Sequence, residues 1–396
     1  MAGVILPRAV WRDRPGLDAL ADALGAANGD ARYVGGAVRD TLLGLDVADI
    51  DIATRHTPAD VVARLEAAGI RAIPTGIAHG TVTAVSAGTV VEVTTLREDV
   101  ETDGRHATVA FTDDWQADAA RRDFTINALY ADPLTGAVFD YFGGLDDLAE
   151  RRVRFIGDPY RRIAEDHLRI LRFFRFHARF GDVIDRPGLD ACTDRANDLM
   201  ALSRERVAAE LLKLLVARNA VPVVALMIER GIFRPVLPEI TDAAALAALA
   251  AREQAAGVAP DPIRRLATLI PCADAETIGA RLRLSNADRK RLVAASAGAG
   301  DEGARALAYR YGTTQAIDRL LVAGAPLDDI AEWTPPRLPI GGGEIVARGV
   351  ARGPDVACVL REVESRWIAE GFPEADRVAA IADAVTAQSV HAASNA

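Results

Sequence analysis

Lysine is almost missing from this chain. Only Lys213 and Lys290 occur in 396 residues, so nearly every basic side chain is an arginine. Arginine offers planar, bidentate recognition of phosphates and base edges, although genome composition also produces such a bias. Cysteine is scarce as well. Cys192, Cys272 and Cys358 lie far apart, which excludes a disulfide framework and a zinc motif and fits a reducing cytoplasm. The six histidines leave almost none for the second half, which argues against a His-Asp phosphohydrolase domain. No apolar run reaches the length of a membrane span, so no membrane partner is expected. The first residues, Met1 to Arg8, carry no signal-peptide h-region followed by a cleavage site. The length allows two to four domains.

What is present concentrates in one stretch. Tyr33-Val34 reads as a short strand, Gly35-Gly36 as a turn, and Ala37 to Leu43 as a helical segment with an exposed Arg39-Asp40 pair, closed by Gly44. A second apolar strand follows and carries Asp49 and Asp51. Side chains two apart leave a strand on one face, so the two carboxylates point together while Ile50 and Ile52 face the core. Like charges so placed call for a cation between them, and hard oxygen ligands favour Mg²⁺. The glycines let backbone approach a ligand, and the N–H groups opening the next helix favour phosphate. Together these features read as nucleotidyl transfer.

The run GG-x-V-R-D followed by D-x-D resembles the signature of the class II tRNA nucleotidyltransferase and poly(A) polymerase family. The resemblance implies that Gly36 and Arg39 contact a nucleoside triphosphate and that Asp49 and Asp51 hold catalytic Mg²⁺. Arg121-Arg122-Asp123-Phe124-Thr125-Ile126-Asn127-Ala128 matches the family's second signature. It implies that Arg122 and Asp123 help hold triphosphate and sugar. Helical spacing there places Phe124, Ala128 and Leu129 inward, and Asn127 reads as a buried structural hydrogen-bonder. Between the signatures, Thr81–Ser86 and Thr89–Thr95 flank Ala87-Gly88 as a hairpin. Glu92 has two readings, a solvent-facing position on an edge strand or a third carboxylate near the metals. Residues 96–114 read as a long structureless loop, with His106 a loop residue rather than a ligand.

Residues 151–180 hold nine arginines against three acids, a local excess of six positive charges in a chain of net charge −10. That excess predicts contact with RNA and a salt-sensitive affinity. Asp158 and Pro159 open a helix, and Asp166, Arg169, Arg172 and Arg175 recur every three residues as one polar stripe along it. Glu165 to Phe176 resembles the family's nucleotide-selection helix. The chemistry agrees. Cytosine and adenine present an exocyclic amine beside a ring acceptor, and a carboxylate beside a guanidinium presents the reciprocal pair. Asp166 with Arg169 would then accept C and A and reject G and U. Arg172 and Arg175 would shape the pocket or contact phosphates. Ser203 caps a helix whose S-R-E-R-V-x-x-E-L run resembles the family's RNA-binding body.

The expected architecture is an α/β (α+β) head with a mixed or antiparallel sheet, followed by all-helical neck, body and tail. The expected bounds are a leader helix in 1–29, head 30–150, neck 151–180, body 181–245 and tail 246–396, with residues 385–396 disordered. The implied reaction is template-free addition of C and A from CTP and ATP to the 3′ end of tRNA, in the cytoplasm. A poly(A) polymerase or A-only enzyme, and an inactive RNA-binding relative, are the alternatives. Oligomeric state is not legible.

Overall fold

The computed structural model describes residues 3–77, 80–102, 107–327, 329–330 and 332–394. It divides into two compact units, residues 1–241 and 242–396.

The first unit is built on a seven-stranded sheet. Its strands are β1 (Ala31–Val34), β2 (Asp51–Thr54), β3 (Arg71–Gly76), β4 (Thr81–Ser86), β5 (Thr89–Thr95), β8 (Leu129–Ala131) and β9 (Val138–Asp140), in spatial order β3-β4-β5-β2-β1-β8-β9. Only β2 and β5 run parallel; the other pairs are antiparallel. The β4–β5 turn forms at Ala87-Gly88, both at positive φ, as a tight hairpin requires. The helices are α1 (Leu17–Ala23), α2 (Gly36–Leu42), α3 (Pro58–Ala67), α4 (Trp115–Ala120) and α5 (Gly144–Ala149), then α6 (Pro159–Glu165), α7 (Leu168–Phe180), α8 (Arg186–Asp194), α9 (Arg204–Leu215) and α10 (Ala220–Glu229). Thr57 caps α3 by accepting from the Asp60 N–H, with Pro58 in the first turn, as the sequence predicts. An N-terminal arm is pinned to α2 by Trp11, whose indole donates to Thr41 at 2.8 Å and meets Tyr33 edge to face. Phe124, Phe155, Phe173 and Phe176 then join the sheet region to α7 in one aromatic cluster, with Phe155 and Phe173 stacked at 5.6 Å.

Four expectations are corrected. Residues 96–114 are not a structureless loop: β6 (Arg97–Thr102) and β7 (Ala107–Phe111) pair as an antiparallel ribbon. A two-stranded ribbon can form from backbone hydrogen bonds without the apolar alternation that a core-facing strand shows. Residues 103–106, on which the reading of His106 falls, lie outside the described residues. The Arg121–Ala128 run is not one helix. It leaves α4, makes a 3₁₀ turn at Thr125–Asn127 and enters β8, yet Phe124, Ala128 and Leu129 are buried as expected. The 158–180 helix is broken at Asp166, which is extended at φ −153°, ψ 107° and accepts from the Leu168 N–H at 3.1 Å. An aspartate is disfavoured in a helix interior because its side chain competes for backbone N–H groups, and here it ends α6 and takes the N–H of Leu168, the first residue of α7. Finally, the last helix, Ala375–Ser394, extends into the stretch 385–396 expected to be disordered. Its buried stripe of Val378, Ile381, Ala382 and Val385 reaches into that stretch.

The second unit is helical, from Ala244–Ala255 to Ala375–Ser394. Of residues 341–343, expected to be a loop before a helix, only Gly341 lies outside the helix, as its N-cap; Gly342 and Gly343 form its first turn. One of its apolar clusters gathers Ile345, Val359, Val363, Trp367 and Val378; another gathers Leu307, Ala316, Leu320 and Ile330. Between Glu253, Arg264, Arg265, Asp318 and Arg291 runs a chain of ion pairs, its first four members buried.

Candidate functional site

Strand β1 ends at Val34 and is followed by Gly35, whose φ of +67° and ψ of −119° only glycine adopts without strain. The chain then turns directly into α2. The Arg39-Asp40 pair, expected to be exposed, is buried. Adjacent opposite charges can leave water together when each is hydrogen-bonded. Arg39 donates to Asp40 at 2.7 Å and to the side-chain oxygen of Asn127, and it lies over the Phe180 ring. Burial lowers the Arg39 pKa, with Asp40 opposing. Asn127 has the structural role expected and also bonds Asp123 at 3.0 Å.

Asp51 opens β2, and Asp49 lies just before it, with Ile50 and Ile52 buried on the other side. The β2–β5 register sets Asp51 beside Glu92. Because β5 lies between β4 and β2, Glu92 is exposed but not on an edge strand, which corrects that reading. The Asp51 carboxyl is pushed up to about 6, first by burial, then by the negative charge of Glu92, with Asp49 adding and Arg122 opposing. Three acids thus meet with too little positive charge among them. Among the described residues no group of three or more His, Cys, Asp and Glu forms a ready metal cage. The undercompensated aspartate pair nevertheless fits Mg²⁺, which takes one or two carboxylates and completes its shell from water and substrate phosphates.

Facing these carboxylates is a set of arginines, many anchored by acids from other stretches. Asp118, buried, accepts from Arg121 at 2.9 Å, Arg122 at 3.1 Å and the Tyr130 hydroxyl at 2.6 Å. Burial pushes its carboxyl up, but the two guanidiniums and the hydroxyl outweigh this and hold it down at about 2. Asp123 accepts from Arg172 at 2.8 Å; its burial is likewise outweighed, here by the Arg172 charge and the Asn127 bond, and its pKa falls. Glu165 accepts from Arg169 at 2.6 Å and lies 2.7 Å from Arg162, and Glu210 of α9 accepts from Arg175 at 2.5 Å. Arg152 and Arg154 share Asp147, and Arg179 reaches Asp40. Much of the positive excess of 151–180 is therefore paired with acids within the fold. Asp166 does not pair with Arg169. Its carboxylate is held by Arg206, while Arg169 is engaged by Glu165 and by the carbonyls of Arg162 and Arg121.

One cavity of about 720 Å³ brings these groups together. Gly36, Arg39, Asp49, Asp51, Arg122, Asp123, Asp166, Arg169, Arg172 and Arg175 all line it. Glu92 lines instead a second cavity of about 920 Å³ that shares Asp49 and Asp51. Sequence reasoning missed Arg97, Arg121 and Arg206 in the first cavity. Arg206 was signalled only by its place in the S-R-E-R-V run. The cavity is lined by eight arginines and four aspartates, and guanidiniums offer the forked N–H donors that phosphate oxygens accept.

Residues 31–154 match the Poly A polymerase head domain, and residues 184–244 match the Probable RNA and SrmB-binding site of polymerase A. The chain is 34% identical over 386 residues to the Homo sapiens CCA tRNA nucleotidyltransferase 1, mitochondrial, covering 90% of this chain and 87% of that protein. The Bacillus stearothermophilus CCA-adding enzyme, solved in complex with CTP, superposes with a TM-score of 0.70 at 25% identity, covering 96% of this chain and all of that one. A Thermotoga maritima CCA-adding enzyme complexed with tRNA shares the fold, with a TM-score of 0.67 at 18% identity, covering 94% and 95%.

Proposed function

The chain belongs to the CCA tRNA nucleotidyltransferase family, and from that membership we propose that it adds C and A from CTP and ATP to the 3′ end of tRNA without a template, releasing pyrophosphate. The observation that supports this most directly is the convergence of the Asp49–Asp51 pair, the arginine array and Asp166 on one cavity. Asp49 and Asp51 would hold Mg²⁺, with Glu92 beside them. When bound, Mg²⁺ supplies charge neutralisation and a lowered pKa for the attacking 3′-hydroxyl. The chain's own part is positioning. Gly36, Arg39 and Arg122 clamp the triphosphate, Asp123 fixes Arg172 and the sugar end, and Arg175 is held in place by Glu210. Nucleotidyl transfer of this kind depends on such alignment and on charge stabilisation rather than on covalent help. Asp166 accepts from the exocyclic amine of C or A, with Arg169 as the reciprocal donor once a base draws it from Glu165.

We assign the head to 30–150, the neck to 151–180, the body to 181–245 and the tail to 246–396. Three free thiols support a reducing compartment, in our reading the cytoplasm. Among the described residues no helix is long and apolar enough to cross a membrane.

The test is incubation of tRNA lacking its CCA end with CTP, ATP or both, followed by sequencing of the 3′ end. The expected product is a complete CCA end with both nucleotides. Addition of A alone, or to any RNA, would overturn the reading. Asp49→Ala or Asp51→Ala should slow addition by more than about a hundredfold, since the lost charge stabilisation is worth several kcal/mol.

A further inference from the structure

Asp166 lies in the break between α6 and α7, where no helical backbone fixes its direction. Its carboxylate is also about a third exposed. Two contacts hold it. The Leu168 N–H donates to Oδ1 at 3.1 Å, and Arg206 Nη2 reaches Oδ1 at 3.0 Å and Oδ2 at 2.8 Å. The residue expected to stand beside it, Arg169, is turned to Glu165 and two backbone carbonyls. Arg206 is itself fixed at the first turn of α9, where its N–H donates to the capping Ser203 hydroxyl. It also lines the cavity.

We infer that Arg206 is a positioning residue for base choice: through Asp166 it aims the acceptor that tells C and A from U and G. A carboxylate has about four lone-pair positions. Arg206 and the Leu168 N–H leave some of them open, so the aimed carboxylate still accepts an exocyclic amine. Without Arg206 a single N–H on one oxygen remains, and the side chain rotates among its staggered states. The stretch that resembles an RNA-binding segment thus contributes to selection of the nucleotide. The inference rests on the base-reading role proposed for Asp166.

The experiment measures kcat/KM for CTP and UTP on tRNA lacking its CCA end. It uses the full chain, Arg206→Ala, Asp166→Ala and the double variant, with inhibition by pyrophosphate as the check on the phosphate clamp. Arg206→Ala should cut CTP-over-UTP discrimination by about tenfold or more and leave pyrophosphate inhibition unchanged. The double variant should discriminate no worse than Asp166→Ala alone. Arg206→Lys, which restores a donor, should recover part of the loss and serves if the alanine variant does not fold. Wild-type discrimination in Arg206→Ala, alongside its loss in Asp166→Ala, overturns this inference and spares the base-reading proposal. Additive losses in the double variant also overturn it, because Arg206 would then act on the base directly. Wild-type discrimination in Asp166→Ala overturns both.

Discussion

Asp51 carries a measurable cost. Its folded-state pKa of about 6 lies above the ordinary 3.8, first because it is buried and then because Glu92 adds negative charge. Between those values the native protein holds a proton that the unfolded chain has lost. Stability therefore falls as pH rises through that window. In metal-free protein, Asp51→Asn should raise stability near pH 8 by about 1–3 kcal/mol, and the gain should shrink toward pH 4. Thermal unfolding in chelator at the two pH values checks this; an equal gain at both would mean that charge is not the cause. Asp49 and Asp51 were legible because a two-residue spacing fixes a shared face. The partners of the arginines were not. Asp166 and Arg169 are adjacent in any helical reading, and only the extended backbone at Asp166 sends its carboxylate to Arg206 instead. Nor could spacing show that the neck's arginines meet Asp123, Asp147 and Glu210, which lie 49, 5 and 35 positions from Arg172, Arg152 and Arg175.

At the scale of elements, the junction from β1 to α2 gives a sharp contrast between neighbours. Gly35 stands at positive φ with ψ of −119°, a region that costs any side chain about 1–3 kcal/mol. Gly36 has ordinary backbone, and a Cβ built there would meet nothing closer than Arg39 Nη2 at 3.8 Å. Gly35→Ala should lower stability by about that cost. Gly36→Ala should leave stability within about 0.5 kcal/mol yet raise KM for CTP, because its methyl enters the cavity. Urea unfolding and initial-rate kinetics separate the two, and equal destabilisation by both would remove the distinction. Elements whose signal is local were readable, such as the Thr57–Pro58 helix start and the Ala87-Gly88 hairpin. The β6–β7 ribbon and the break at Asp166 were not, since the first lacks core-facing alternation and the second hides inside an apolar helical period.

Across the whole molecule, function and stability are placed differently. The cavity belongs to the first unit, while the second contains the buried chain of ion pairs around Glu253. Glu253→Ala removes the carboxylate that Arg264 and Arg265 share, and breaking such a buried pair costs about 3–5 kcal/mol. Its melting temperature should fall while kcat/KM for CTP, measured well below the transition, stays near wild type. A matching loss of turnover at low temperature would contradict that separation. The anchoring of the cavity's arginines has a further consequence, one of inheritance. Arg175 is held by Glu210, Arg172 by Asp123, Arg169 by Glu165 and Arg122 by Asp118. A heritable change in any one of these acids is in effect a change in the arginine that it holds, although the codons stand up to 49 apart. Lineages would alter this pocket two codons at a time, and a suppressor of a damaged Arg175 would map to Glu210, an acid outside the cavity lining.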